Sequence, residues 1–304
     1  EFVTPVSFNS EGFKEYNYAI NKTSNTYRIA VIGDSMVEAL QVPLDSIFTK
    51  LLEQKLNKPL KKYDIIGFGL SGIGTIQEQK LLEAYALKYL PDEVILMLTV
   101  GNDIRDNLLL NSTLIAANKP TKIWGFDYSS VKFFLRQHFH TFAFLVDASR
   151  VIKQNSLTKI RSISSAKTAS VSKNIYDYDF EIYYQNYSTE INHGFNKTEE
   201  ALLQIKKMSP KLTVFLIPTT FQVDEFRAQE FIKLHKSNNV NLTKPMDILV
   251  TFCNNNNITI INPLPEFQKH NINNTFFWKY DGHLNKNGHT LVADLLYAGI
   301  TKTK

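Results

Sequence analysis

The stretch Arg28-Ile29-Ala30-Val31-Ile32-Gly33-Asp34-Ser35 carries the fold reading. Its apolar run is too short and too continuous for a surface helix, and it suits a parallel strand covered on both faces. The run stops at Gly33-Asp34-Ser35, residues that turn a chain sharply and cap a following helix. The pattern recurs at Tyr63–Ile66 before Gly67, Glu93–Val100 before Gly101, Leu212–Ile217 before Pro218, and Ile258–Ile261 before Asn262-Pro263. Amphipathic segments separate these runs. Ser46–Leu56 carries Phe48, Leu51, Leu52 and Leu56 at helical spacing, and Ile76–Tyr89 carries Leu81, Leu82, Tyr85 and Leu87. Thr198–Met208 carries Ala201, Leu202 and Ile205, with Thr198 expected as N-cap. The alternation predicts an α/β fold around a mostly parallel sheet, whose ligands bind at the carboxyl ends of the strands.

The composition is that of a globular protein: 304 residues, 43% hydrophobic and 21% charged. The net charge of +5 is scattered, and Lys61-Lys62 and Lys206-Lys207 read as solvated helix ends, so no nucleic-acid partner is expected. The single cysteine, Cys253, excludes an intrachain disulfide and a multi-cysteine metal site. It follows the apolar run Ile248–Phe252 and is expected to be a buried thiol. The best membrane candidate, Val94–Val100, is about a third of the roughly 20 residues a spanning helix needs. Asn-x-Ser/Thr triplets at Asn21, Asn111, Asn186, Asn196, Asn241, Asn257 and Asn273 read as chance in so Asn-rich a chain.

Residues 108–191 interrupt the alternation. An aromatic-rich segment from Phe133 to Leu145 predicts a helix, a polar tract from Ser156 to Ser172 has little to bury, and Tyr176–Tyr187 is rich in tyrosine. A single domain over 1–304 is expected, with 108–191 inserted after the third strand as a lid or a surface subdomain.

The polar residues gather at the ends of the predicted strands. A serine at a tight strand-to-helix turn presents its hydroxyl above the sheet, though Gly-Asp-Ser is also an ordinary turn and cap. Gly67-Phe68-Gly69-Leu70-Ser71-Gly72 matches Gly-x-Gly-x-x-Gly. A dinucleotide site fits poorly, because the motif follows the second strand and the acids Asp92-Glu93 begin the third rather than end it. Glycines also let backbone N–H groups point at an anionic oxygen. Asn102, in Gly101-Asn102-Asp103, can add a side-chain donor or simply cap a helix. In Asp281-Gly282-His283 the carboxylate is close enough to hold the imidazole in one tautomer, and His283 could then take a proton from Ser35. His289 is expected to be structural.

Together, and in this order, Gly33-Asp34-Ser35, Ser71-Gly72, Gly101-Asn102-Asp103 and Asp281-Gly282-His283 resemble blocks I, II, III and V of the SGNH/GDSL hydrolase family. Phe8-Asn9-Ser10-Glu11-Gly12-Phe13, Pro263–Phe267 and Asp281–Asn285 are similar to a bacterial and archaeal branch of it. The resemblance implies a three-layer, flavodoxin-like fold with a five-stranded sheet. It implies Ser35 as nucleophile, His283 as general base and Asp281 as its orienting carboxylate. The backbone N–H groups of Ser35 and Gly72 and the Asn102 side chain become oxyanion donors. No metal or organic cofactor is implied.

Two departures stand out. Asp-x-His replaces the commoner Asp-x-x-His, a variant that resembles polysaccharide O-acetyltransferases. Gly67 stands where the family carries an asparagine, which removes a supporting hydrogen bond. The resemblance points to an esterase acting on a small-molecule or carbohydrate-borne ester. An O-acyltransferase of envelope or exported glycans is the alternative, and a silent glycan- or partner-binding module the third reading. The family branch and a start at Glu1 without methionine favour the cell envelope or extracellular space over the cytoplasm.

Overall fold

The computed structural model describes residues 1–57, 62–109, 122–123, 126–127, 178–236, 239–271 and 275–302. It resolves into two compact units. One comprises Glu1–Leu108 with Ile175–Lys304, the other Leu109–Asn174. In the second unit, β4 (Lys122–Ile123) and β5 (Phe126–Asp127) pair antiparallel. The helix expected from Phe133 and the tract Ser156–Ser172 lie outside the described residues. Residues 178–191 of the expected insertion belong to the first unit, and Tyr178–Glu181 is a short helix there.

The first unit is built on β1 (Thr26–Gly33), β2 (Lys62–Gly69), β3 (Glu93–Thr99), β6 (Leu212–Ile217) and β7 (Thr259–Ile261). All pair parallel in the order β2-β1-β3-β6-β7. This is the doubly wound α/β topology, and its order reverses between β1 and β3, where such sheets place their binding crevice. The continuous apolar runs are explained by burial on both faces: Ile29, Val31, Ile32, Val94–Leu98 and Val214–Ile217 are wholly inaccessible. Arg28 interrupts the apolar pattern because its guanidinium is buried against Asp64, at 2.9 Å, and donates to the carbonyls of Ile20 and Tyr89. A buried ion pair of this kind needs every such partner to offset its desolvation.

Several boundaries differ from expectation. β2 continues through Gly67-Phe68-Gly69, with Gly69 opposite Gly33. The glycine motif is therefore divided between a strand and a turn. The helix expected to start at Thr198 runs Thr189–Met208, capped by Ser188, whose side chain accepts the Ile191 N–H. Thr198 is interior: it donates to the Gly194 carbonyl and accepts from Asn107. Internal back-bonding and a partner on another element remove its need to cap. Cys253 is buried in the helix Lys244–Asn255, and burial pushes its thiol up to about 12.

The segment before β1 has no helix or strand, yet it is anchored. The Asn9 side chain accepts the N–H groups of Glu11 and Phe13, and Phe13 packs edge-on against Phe68 and Tyr85. The buried Glu15 carboxylate accepts the Gly67 N–H at 2.7 Å. A residue 52 positions earlier thus bonds the backbone at the place where an asparagine side chain was missed.

Candidate active site

Ser35 opens α1 (Ser35–Glu38) at the carboxyl end of β1. Asp34 is its N-cap: the carboxylate accepts the Met36 N–H at 2.9 Å, and the carbonyl accepts Val37 and Glu38 at 3.1 Å. The helix closes at Ala39 in the left-handed conformation, whose N–H returns to the Ser35 carbonyl at 2.8 Å. A one-turn helix capped at both ends holds the serine at the mouth of the sheet.

His283 comes from the far end of the chain on a tight loop. Phe277 and Leu284 form an isolated antiparallel bridge, Trp278 N–H donates to the His283 carbonyl, and Gly282 N–H donates to that of Trp278. Asn285 then caps the helix Lys286–Lys302 through Asn287 and Gly288, while its amide donates to the carbonyls of Thr275 and Phe277. The imidazole Nε2 lies 2.8 Å from Ser35 Oγ, and Nδ1 lies 2.7 Å from Asp281 Oδ1. Both bonds fall within the range that proton transfer from a serine requires. The His283 and Asp281 side chains are 26% and 27% exposed, so a substrate can reach them.

Gly72 sits at φ +77°, a conformation that favours glycine. Among the described residues, neither its N–H nor that of Ser35 has a hydrogen-bond acceptor. Both are unengaged donors, one at the carboxyl end of β1 and one in the turn after β2. Asn102 is placed differently. Its side-chain amide donates to Asp34 Oδ2 at 3.0 Å and to Asp106 Oδ2 at 3.3 Å, so both of its hydrogens are engaged.

Asp34 belongs to a buried acidic cluster. Asp34 is wholly buried, and burial pushes its carboxyl up against the opposing pull of donors from Met36, Asn102 and Thr99 and of nearby His283. Glu78, on α3 (Thr75–Ala84), and Asp103, at the start of α4 (Asp103–Leu109), are also wholly buried. Both are pushed well above the carboxylate range, by burial first and by neighbouring acids second. Both Glu78 oxygens, Asp103 Oδ1 and Thr75 Oγ1 have no hydrogen-bond partner among the described residues. Asp106 is balanced by Arg105 at 2.7 Å, which also binds Asp179. Burial raises Asp179 to about 6, with Arg105 opposing.

His289, six residues after His283 in sequence, has another role. It is buried and stacks on Phe48, and its Nδ1 accepts the Phe48 N–H at 3.4 Å, at the N-terminus of α2 (Phe48–Leu56). Burial lowers it to about 3. No cluster of three or more His, Cys, Asp or Glu among the described residues is arranged to hold a metal ion. No described helix is long and apolar enough to cross a membrane.

Sequence reasoning missed Glu38, whose carboxylate accepts both the N–H and the hydroxyl of Ser71. It also missed Glu15, Thr99 and Glu78. Each acts across 33 or more positions, or by burial alone, and neither leaves a local signal.

No sequence-family profile matches the chain, and no curated protein does. Solved structures of similar architecture exist. One is the acetyl xylan esterase AlAXEase, at 14% identity and TM-score 0.48, over 90% of this chain and 99% of that one. Another is LAE5, an alpha/beta hydrolase enzyme from the metagenome of Lake Arreo, Spain, at 11% and 0.47, over 90% and 94%. A third is the lipase/acylhydrolase from Enterococcus faecalis, at 14% and 0.46, over 91% and 96%. What this site can do is read from its own side chains.

Proposed function

We propose that the chain is a serine esterase of SGNH/GDSL type, which hydrolyses a small or carbohydrate-borne O-acyl ester through an acyl-enzyme on Ser35. The observation that carries this reading is the continuous hydrogen-bonded chain Ser35–His283–Asp281, at 2.8 and 2.7 Å. Ser35 Oγ attacks the ester carbonyl while His283 Nε2 takes its proton, and Asp281 holds the Nδ1–H tautomer and stabilises the imidazolium. The oxyanion that forms on the carbonyl oxygen is received by the N–H groups of Ser35 and Gly72. Asn102 joins them by exchanging its longer bond to Asp106 for the oxyanion, while Asp34 keeps the amide in place. His283 then protonates the leaving alcohol. Water, deprotonated by the same imidazole, attacks the acyl-enzyme and releases the acid.

The test is intact mass after fluorophosphonate treatment, with p-nitrophenyl acetate turnover, for wild type and Ser35→Ala. The expected result is one adduct and turnover in the wild type, with neither in a folded Ser35→Ala. A folded wild type that forms no adduct and turns over no ester, or an adduct that survives Ser35→Ala, overturns the reading.

A further inference from the structure

We infer that Glu38 is a positioning residue for the oxyanion site, its carboxylate holding the Ser71-Gly72 turn so that the Gly72 N–H points where the Ser35 N–H points. The inference rests on the reading of Ser35 as nucleophile. Ser35 opens α1 and Glu38 closes it, and the Glu38 N–H is bonded to the Asp34 carbonyl at 3.1 Å. The position of Glu38 is thereby tied to the nucleophile turn.

Its side chain reaches across to the end of β2. Oε2 accepts the Ser71 N–H at 2.9 Å and also the Ser71 hydroxyl. Bonds to a charged acceptor are roughly twice as strong as neutral ones. The two backbones also approach closely here, since a Cβ at Gly69 would collide with the Glu38 nitrogen. Leu70 N–H adds a bond to the Gly33 carbonyl at 3.2 Å.

The chain is anchored again after the turn, by buried Ile73 and by the Gly74 N–H, which donates to Gln77 Oε1 at 3.0 Å. Ser71 and Gly72 are exposed, and Gly72 sits at φ +77° with its N–H unbonded. The far end of α1 is held by the buried Lys14 ammonium, which donates to the carbonyls of Ala39 and Val42 at 2.5 Å. Glu38 is therefore mounted on a braced helix and grips an exposed turn. An oxyanion donor pays off only if its direction is set before the reaction, because catalysis by such donors depends on preorganisation.

A merely structural carboxylate would affect stability alone, so the test separates the two. Wild type, Glu38→Ala and Glu38→Gln are compared for kcat and KM on p-nitrophenyl acetate across pH, for phosphonylation rate, and for amide exchange at Ser71. In Glu38→Ala, kcat and phosphonylation rate are expected to fall about 10- to 100-fold, less than or equal to the loss of one whole donor. KM and the acidic limb of the pH profile should stay as in the wild type, since His283 is untouched. Exchange at Ser71 should rise at least about 10-fold while β1 and β3 amides stay protected. Glu38→Gln, which keeps one acceptor oxygen, should recover most of the rate.

A folded Glu38→Ala with unchanged kcat, or with its loss confined to KM, overturns the inference. If the wild type neither turns over ester nor takes the phosphonate, the esterase reading has failed. The positioning of the turn is then decided by exchange alone: faster exchange at Ser71, whose N–H Glu38 holds, supports it, and unchanged exchange there overturns it.

Discussion

Asp281 and Asp34 both serve the turn that carries Ser35, but they do so from opposite sides of the water boundary. Asp281 is 27% exposed and spends its carboxylate on an imidazole and a backbone N–H. Asp34 is wholly buried and spends its own on Met36, Thr99 and Asn102. Asp281 lies at the solvent boundary, where under the proposed mechanism it stabilises the imidazolium that forms during reaction. Asp34, whose carboxyl is pushed up by burial, is held by fixed donors from three residues, so it acts as a structural pin. The difference extends outward: the outer side chains form one continuous hydrogen-bonded chain, whereas Glu78 and Asp103 below are incompletely bonded. Under the proposed mechanism the two aspartates differ by depth rather than residue type, the outer one working on the imidazole and the inner one holding the turn.

The sharpest way to break the comparison is Asp281→Asn. In the Ser-His-Asp template the corresponding change costs about 10⁴-fold in kcat by offering His the wrong tautomer, and a loss of that order is expected here. Steady-state kinetics with unchanged thermal stability would support the assignment, and a loss below about tenfold would remove Asp281 from the mechanism.

Asn102→Ala comes next. Under the proposed mechanism it takes one donor from the oxyanion, and it takes one from Asp34, so kcat should drop about 100-fold with KM nearly constant. If KM alone rises, Asn102 is a scaffold for Asp34 and contributes nothing in the transition state.

Glu78→Gln tests the buried acidic cluster. The folded pKa of Glu78 lies above its unfolded value, so the unfolded chain releases the proton first and stability is lost as pH rises above about 4.3. Removing that ionisation should make the variant gain stability over the wild type as pH rises from 5 to 7. Urea unfolding at the two pH values checks this, and an identical pH dependence for both proteins would mean that Glu78 is ionised in the fold.

His289→Gln gives the smallest effect and the opposite slope. Its folded pKa of about 3 lies below the unfolded 6.5, so stability is present above 6.5 and is lost as pH falls toward 3. Between pH 7 and 5.5 the wild type should lose about 1 kcal/mol that the variant does not. Parallel curves would show that His289 accepts a proton in the fold despite its burial.

Much of the architecture was legible because a doubly covered parallel strand leaves a local mark. The runs at β1, β3 and β6 are continuous and apolar, and each ends at the residues that turn the chain. The boundary errors share one cause. Gly67 and Gly69 read as loop because glycine usually ends a strand, but Glu15 takes up the Gly67 N–H and α1 packs against Gly69. Thr198 read as a cap because threonine usually competes with helix backbone, but Asn107 and the Gly194 carbonyl satisfy its hydroxyl. In both cases a partner remote in sequence overrode the local preference.

By itself the sequence determined the alternating α/β order and brought Ser35, Gly72, Asn102, Asp281 and His283 into view as a set, since strand ends and short motifs are encoded by neighbouring residues. Only the tertiary structure decided how donors and acceptors are shared among them: His283 to Ser35, Asn102 to Asp34 and Asp106, Glu38 to Ser71, and Glu78 to nothing described. The physical reason is range. Burial and hydrogen-bond competition depend on which groups the sheet brings within 3 Å or so of one another, and that distance is set by packing, not by separation along the chain.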